Sequence, residues 1–116
     1  MPDYCCYRLS GYGSLAEAAG RVIDVINYAR EQGMGKLLID TTQWTGHPSP
    51  GTLERYQWAE AFSEAARSTV KVAMVARAEL MDPEKFEVIV ARNRGLLGNL
   101  FDSEEEALAW LLGAED

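Results

Sequence analysis

The chain has 116 residues and a formal net charge of −7. Its length fits a single domain, 1–116, that buries roughly two-thirds of its unfolded surface on folding, and its negative charge argues against the basic face that nucleic-acid binding needs. No apolar run approaches the ~18 residues of a membrane span. The two cysteines, Cys5 and Cys6, are adjacent and cannot easily form a disulfide, so we predict a reduced, cytoplasmic location.

The sequence alternates short apolar runs with longer segments of helical periodicity. The first run, 4–9, is followed by a helix that is predicted to begin at a capping box of Ser14 and Glu17 and to end at Gly33. The side chains of this helix predicted to face the core are Leu15, Ala19, Val22, Ile23 and Ile26.

The second run, 36–40, leads into a second predicted helix. Ser49 is its predicted N-cap, and Pro50 is its predicted first residue, where a missing N–H costs nothing. The predicted core residues of this helix are Trp58, Ala61, Phe62, Ala65 and Ala66.

The last two runs repeat the alternation. The run 70–76 precedes a helix predicted to open at Asp82-Pro83 and to end at Gly95, and the run 99–101 precedes a helix with a capping box at 103–106. The predicted core residues of these two helices are Phe86, Ile89 and Val90, then Ala107, Leu108, Trp110 and Leu111.

The composition of the runs predicts their order in a sheet. The runs 36–40 and 70–76 are almost continuously apolar, which is typical of interior parallel strands covered on both faces. The runs 4–9 and 99–101 are more polar or very short, which favours the edges. We therefore predict an α/β domain with a four-stranded, mainly parallel sheet in the order β-α-β-α-β-α-β-α.

A family resemblance accompanies this pattern. The segments 36–40, 71–75 and 100–111, in that order of elements, resemble the STAS, or SpoIIAA-like, domains of bacteria, which include anti-sigma-factor antagonists. Members of that family are mostly non-enzymatic, so the resemblance implies a regulatory module that binds a protein partner. In this family a Ser or Thr at the start of the second helix is phosphorylated as a switch, and the matching stretch is 47–52, with Ser49 as the best match and Thr52 at its end.

The segment after the second run collects unusual polar and aromatic residues. Thr41, Thr42, Trp44 and the sole His47 are predicted to lie in a loop at the carboxyl end of a strand, where open α/β sheets bind ligands. Arg55 falls inside the apolar arc of the following helix, from which its guanidinium could reach this loop. An alternative function is therefore a carrier or sensor for a lipid or organic anion, with a pocket near Trp44 and Arg55.

A minor alternative is nucleotide binding. Gly11 and Gly13 lie in a G-x-G-x-x-A segment between a strand and a helix, and Asp40 ends the next strand, where a dinucleotide fold places its ribose-binding acid. The chain is short for a dinucleotide fold, and the two glycines are also explained by a turn into the helix.

Catalytic and metal-binding groups do not cluster in the sequence. His47 has no second histidine, and no nucleophile with a base stands out, so we predict a protein without enzymatic activity, cofactor or metal. The sequence predicts a protein partner, with a homodimer as one form, and otherwise a small apolar or anionic ligand.

Overall fold

A computed structural model describes residues 4–45, 51–67, 69–78 and 86–113. Strands and helices alternate throughout, which confirms the predicted α/β class and element order. The elements are β1 (Cys5–Tyr12), α1 (Leu15–Glu31), β2 (Lys36–Thr45), α2 (Thr52–Ala66), β3 (Lys71–Val75), α3 (Phe86–Asn93), β4 (Gly98–Phe101) and α4 (Glu104–Leu112).

The four strands form one parallel sheet in the order β1-β2-β3-β4. The apolar strands β2 and β3 are interior and the predicted edge strands are at the edges, as expected. Right-handed connections between neighbouring parallel strands place their helices on one face of the sheet. Accordingly α1, α2 and α3 share one buried cluster with that face, which includes Val22, Ile26, Leu37, Ile39, Ala59, Val72 and Ala91.

Helix α4 covers the opposite face of the sheet. Its Ala107 and Leu111 are fully buried against a second apolar cluster, formed by Leu38, Ala73 and Val75. The ammonium group of Lys71 donates to the carbonyls of Trp110 (3.0 Å) and Leu111 (3.2 Å). A cation at the carboxyl end of a helix satisfies its last carbonyls and is favoured by the helix dipole. We therefore describe the sheet as having a three-helix face and an α4 face.

The first two strands are longer than predicted. β1 continues to Tyr12 and β2 to Thr45, and the extensions pair with each other beyond the end of β3, after a register shift between Arg8 and Ser10. The prediction of a loop directly after Asp40 is therefore wrong. The polar composition of 41–45 suggested a loop, but Thr and Trp favour strands, and one side of this extension is exposed.

The predicted starts of three helices can be compared with the structure. In α1 the Ser14 hydroxyl accepts from the Glu17 N–H (3.1 Å), and the Glu17 carboxylate accepts from the Ser14 N–H (3.0 Å), which confirms the capping box. In α4 Ser103 is the N-cap, as predicted, and its hydroxyl accepts from the Glu106 N–H (3.2 Å), which is one half of the predicted capping box. In α2 the N-cap is Gly51 rather than Ser49, so the predicted start is two residues too early.

Helix α3 is rotated relative to its predicted orientation. Ile89 was predicted to face the core, but it is 53% exposed, while Ala91 is buried and Val90 packs partly against the core. Residues 88 to 90 are all apolar, so the sequence pattern alone could not fix which of them faces the sheet. The predicted start of this helix at Asp82-Pro83 lies outside the described residues.

Candidate functional site

An apolar cavity of about 160 Å³ lies between the sheet and the three helices α1, α2 and α3. We call it the sheet–helix cavity. Side chains from all four strands contribute to it. Its described lining residues are Leu9, Leu15, Ala18, Ala19, Val22, Thr41, Trp44, Arg55, Trp58, Ala59, Phe62, Val72, Met74, Ala76, Val88, Ala91, Leu96, Gly98, Asn99 and Leu100.

The helices reach this cavity through regular stripes of side chains. In α1 the lining residues are Leu15, Ala18, Ala19 and Val22, and in α2 they are Arg55, Trp58, Ala59 and Phe62. Both sets have the spacing i, i+3, i+4, i+7, which defines one face of an α-helix. The alanines in these stripes are too small to fill the space between helix and sheet, and this accounts for the cavity.

Trp44 forms a rigid part of the cavity wall. Its side chain is 3% exposed, and its indole N–H donates to the carbonyl of Ser14 at 3.2 Å. The outer face of the ring carries Arg21, whose guanidinium carbon lies 5.4 Å from the ring centroid. Trp44 is thus anchored in the core and joins β2 to the start of α1.

Arg55 is the only charged residue among the described residues that line the cavity. It is 8% exposed, which confirms its predicted position on the buried side of α2. Burial of a guanidinium is costly unless hydrogen-bond acceptors surround it. Arg55 has an interaction partner within the protein, and the described lining also includes the polar residues Thr41 and Asn99.

The other predicted site residues are distributed over both faces of the sheet. Thr41 lines the cavity and donates its hydroxyl to the carbonyl of Val75 at 2.8 Å. Thr42 contacts Asp40 on the α4 face. Thr52 is the first residue of α2, and His47 and Ser49 lie outside the described residues. The structure therefore brings Thr41, Trp44 and Arg55 together at one cavity and separates Thr42 from them.

The two glycines of the nucleotide hypothesis pack against Trp44. Gly11 lies within β1, and a Cβ added at Gly13 would lie 2.7 Å from Trp44 Cζ2 and 2.7 Å from Glu17 Oε1. The Glu17 carboxylate also occupies the N-terminal end of α1, where a phosphate would bind. Moreover, the strand order has no reversal, which is the point where dinucleotide folds bind their ligand. This geometry does not favour a nucleotide site.

A polar cluster lies on the α4 face, away from the cavity. The guanidinium of Arg8 donates to both carboxylate oxygens of Glu104, at 2.8 and 3.1 Å. Asp40 accepts from the hydroxyl (2.7 Å) and the N–H (2.9 Å) of Thr42. Burial opposes the charged form of Asp40, but the hydrogen bonds from Thr42, a hydrogen bond with Glu104 and the charge of Arg8 together hold its pKa below the ordinary value. The cluster connects β1, β2 and α4.

The two cysteines do not form a reactive pair. Both are free, and they point to opposite faces of β1, as expected from their adjacency. Desolvation raises the pKa of the Cys6 thiol and outweighs the opposing effect of Arg8. The thiolate, which is the nucleophilic form, is therefore disfavoured. Among the described residues, no group of three His, Cys, Asp or Glu side chains could hold a metal ion.

Sequence reasoning missed the small residues that create the cavity. Ala18, Ala59 and Ala91 were not singled out, although each lines the space between the helices and the sheet. Their signal in the sequence is the alanine content of the core-facing stripes. That signal does not distinguish close packing of a helix on a sheet from an unfilled gap.

Comparisons with known proteins give no identification. No protein-family model, no curated protein and no solved structure matches this chain. The resemblance to STAS domains therefore stays a prediction from the residues. Within the described segments, no helix combines the length and the apolar character needed to cross a membrane.

Proposed function

We propose that this protein is a non-catalytic binding module that takes one small apolar ligand into the sheet–helix cavity. The observation that supports this proposal is the cavity itself, with about 160 Å³ and an almost wholly apolar lining. An engineered cavity of about 150 Å³ with apolar walls stays dry and binds benzene. The cavity is partly open to solvent, so we expect it to enclose the part of a ligand that is about the size of one six-membered ring.

The chemistry of the lining supports binding rather than catalysis. The described lining residues include no His, Cys, Asp or Glu, which are the usual general acids, bases and nucleophiles. The hydroxyl of Thr41 is engaged with the carbonyl of Val75. A bound ligand would thus contact mainly aliphatic and aromatic carbon, with Arg55 and Asn99 as the remaining polar residues of the described lining.

The regulatory role implied by the STAS resemblance is compatible with this proposal. A module of this kind could sense a ligand in its core and present its surface to a protein partner. The predicted switch at Ser49 lies outside the described residues, so the protein-binding role stays a second hypothesis. Of the protein-binding and ligand-binding functions predicted from the sequence, ligand binding is the one supported by a described cavity.

The proposal is tested with toluene as the probe. Toluene should raise the melting temperature of the purified protein saturably, with a dissociation constant on the order of 0.1–1 mM. Ala59→Leu fills the cavity from α2 and should abolish this shift while leaving the ligand-free protein as stable as the parent or more stable. Ala16→Leu, at an exposed position of α1, is the matched control and should bind toluene normally.

Two results would contradict the proposal. One is the absence of any saturable shift with toluene in the parent protein. The other is unchanged toluene binding by a folded Ala59→Leu protein, because the ligand would then bind outside the sheet–helix cavity. Ala91→Leu fills the same space from α3 and serves if Ala59→Leu does not fold.

A further inference from the structure

We infer that the protein forms a two-fold symmetric dimer in which the β1 strands of two copies pair antiparallel along their outer edges. This inference does not depend on the proposed ligand. It rests on three features of the described residues: an open backbone edge on β1, a closed backbone edge on β4, and an exposed side of α1 that lies beside β1.

The direction of the backbone groups of β1 follows from its pairing with β2. The N–H of Gly13, directly after β1, donates to the carbonyl of Thr45 at 3.0 Å. Because backbone groups alternate between the two sides of a strand, the odd-numbered residues of this segment face β2. At the register shift the additional residue is in β2, so the alternation along β1 is unbroken.

The outer edge of β1 is therefore formed by the even-numbered residues. Their N–H and C=O groups point away from the sheet, and none of these groups has a hydrogen-bond partner among the described residues. β1 has eight residues and contains neither proline nor lysine, which often protect an edge strand. The residues of this open edge are Cys6, Arg8, Ser10 and Tyr12.

The opposite edge of the sheet is closed by side chains. β4 has only four residues, and the N–H of Val72 donates to the carbonyl of Leu97, so Gly98 and Leu100 face outwards. The carbonyl of Gly98 accepts from Arg92 Nε at 3.2 Å, and the N–H of Leu100 donates to Asn99 Oδ1 at 2.8 Å. The two edges differ, and β1 is the one that can accept a further strand.

A second copy of β1 is complementary to this open edge. When the antiparallel pair is centred on Leu9, Arg8 lies opposite Ser10 of the second copy, and Cys6 lies opposite Tyr12 of the second copy. Every outward-facing residue is then in a pair that exchanges two hydrogen bonds. Centring the pair on Arg8 would instead place two arginines opposite each other, which is destabilising. One surface serves both copies, as in the isologous interface of a two-fold dimer.

Helix α1 extends the same interface on the three-helix face. Arg30 Nε donates to the carbonyl of Ala65 in α2 at 2.8 Å, so Arg30 lies on the side of α1 that faces α2. Tyr28 lies two residues earlier, about 200° around the helix, and therefore on the side above the β1 edge. Its side chain is 58% exposed. Antiparallel pairing of the two sheets places both α1 helices side by side, and this contact covers Tyr28.

Sedimentation equilibrium of the full chain tests the dimer. At micromolar concentration the parent should have twice the 12.9 kDa mass of one chain. Ser10→Pro removes an outward N–H that the single copy does not use, and proline is accepted at such an edge position. This variant should raise the dissociation constant of the dimer about tenfold or more. Ser10→Thr keeps the N–H and is the matched control, which should dimerise like the parent.

Disulfide cross-linking tests the register. Tyr12→Cys, in a chain that also carries Cys5→Ser, is oxidised with diamide and should be linked to Cys6 of the second copy. The Cα atoms of a hydrogen-bonded antiparallel pair lie about 5.5 Å apart, within the range of a disulfide. Thr45→Cys in the same background is the control, because Thr45 is the β2 neighbour of Tyr12 and lies one strand further from the second copy. It should cross-link much less.

Three results would overturn the inference. The first is a parent protein that stays monomeric up to about 1 mM, a concentration at which even weak specific complexes form. The second is a dimer that a folded Ser10→Pro protein forms as tightly as the parent. The third is equal cross-linking of the Tyr12→Cys and Thr45→Cys proteins. The mass of the parent and the cross-linking yields do not depend on whether Ser10→Pro folds.

Discussion

The position of the Trp44 side chain depends on the absence of a side chain at Gly13. The indole ring is buried, and it occupies the space that a side chain at Gly13 would need. Protein interiors are packed to crystal-like density, so added volume at such a contact forces neighbours to move. The absence of a Cβ at Gly13 is thus a requirement for the position of Trp44.

We expect Gly13→Ala to lower the free energy of unfolding by about 1–3 kcal/mol, because the new methyl group overlaps Trp44 and Glu17. Urea denaturation of the parent and the variant measures this difference. Gly20→Ala is the matched control: it lies inside α1, where an added Cβ has nothing within 4 Å. Since Ala is the better helix former, that variant should gain about 0.5–1 kcal/mol. Equal effects of both changes would contradict the tight contact.

At the level of elements, the start of α2 is the clearest departure from the sequence pattern. Gly51 is the N-cap, with extended backbone angles and no side chain to accept a hydrogen bond from the first turn. The N–H of Gly51 nevertheless donates to the Glu54 carboxylate at 2.9 Å. Half of a capping box is therefore present, and the half that a side chain would supply is missing.

We expect Gly51→Ser to stabilise the protein by a few tenths to about 1 kcal/mol, because the new hydroxyl can accept from the free N–H groups of α2 and the unfolded chain becomes less flexible. Gly51→Ala also makes the unfolded chain less flexible but supplies no acceptor, so it should be less stable than Gly51→Ser. Thermal or urea unfolding of both variants measures the difference. A loss of about 1 kcal/mol with Ser49→Ala, and no effect of Gly51→Ser, would instead assign the cap to Ser49.

The sequence predicted elements better than it predicted where they end. Periodicity and capping residues identified α1 and α4, because the signals lie in the local sequence. The extension of β2 to Thr45 depends on pairing with β1, which is a contact between distant segments. For the site, Trp44 and Arg55 were predicted together, but the cavity between them depends on the distance between helix and sheet, which no local pattern contains.

For the whole molecule, the polar cluster joins distant parts of the chain. Arg8 of β1 and Glu104 of α4 form an ion pair that is joined by two hydrogen bonds, and Asp40 of β2 lies beside them. A carboxyl group whose pKa is lowered by folding stabilises the protein above its unfolded pKa of about 4 and loses that effect as the pH falls through the folded pKa. Asp40 should therefore make the fold sensitive to acid.

We expect Asp40→Asn to be less stable than the parent at neutral pH, and this difference should shrink as the pH falls from about 5 towards 2. Thr42→Val removes the hydroxyl that donates to Asp40 and should lose about 1–2 kcal/mol at neutral pH. Thr45→Val, which removes a longer, exposed hydrogen bond from the hydroxyl to the carbonyl of Gly11 (3.3 Å), is its control and should lose less. Urea unfolding at several pH values measures these differences. A constant difference between the parent and Asp40→Asn at all pH values would contradict the lowered pKa.

The position of α4 after all four strands matters while the protein is being synthesised. A ribosome releases the chain from its amino end, so β1, β2 and β3 leave it before α4 does. Throughout that interval the α4 face of the sheet, with Leu38, Ala73 and Val75, has no helix of its own chain to cover it. Newly synthesised chains are therefore most prone to associate with one another, or to be bound by a chaperone, just before α4 emerges.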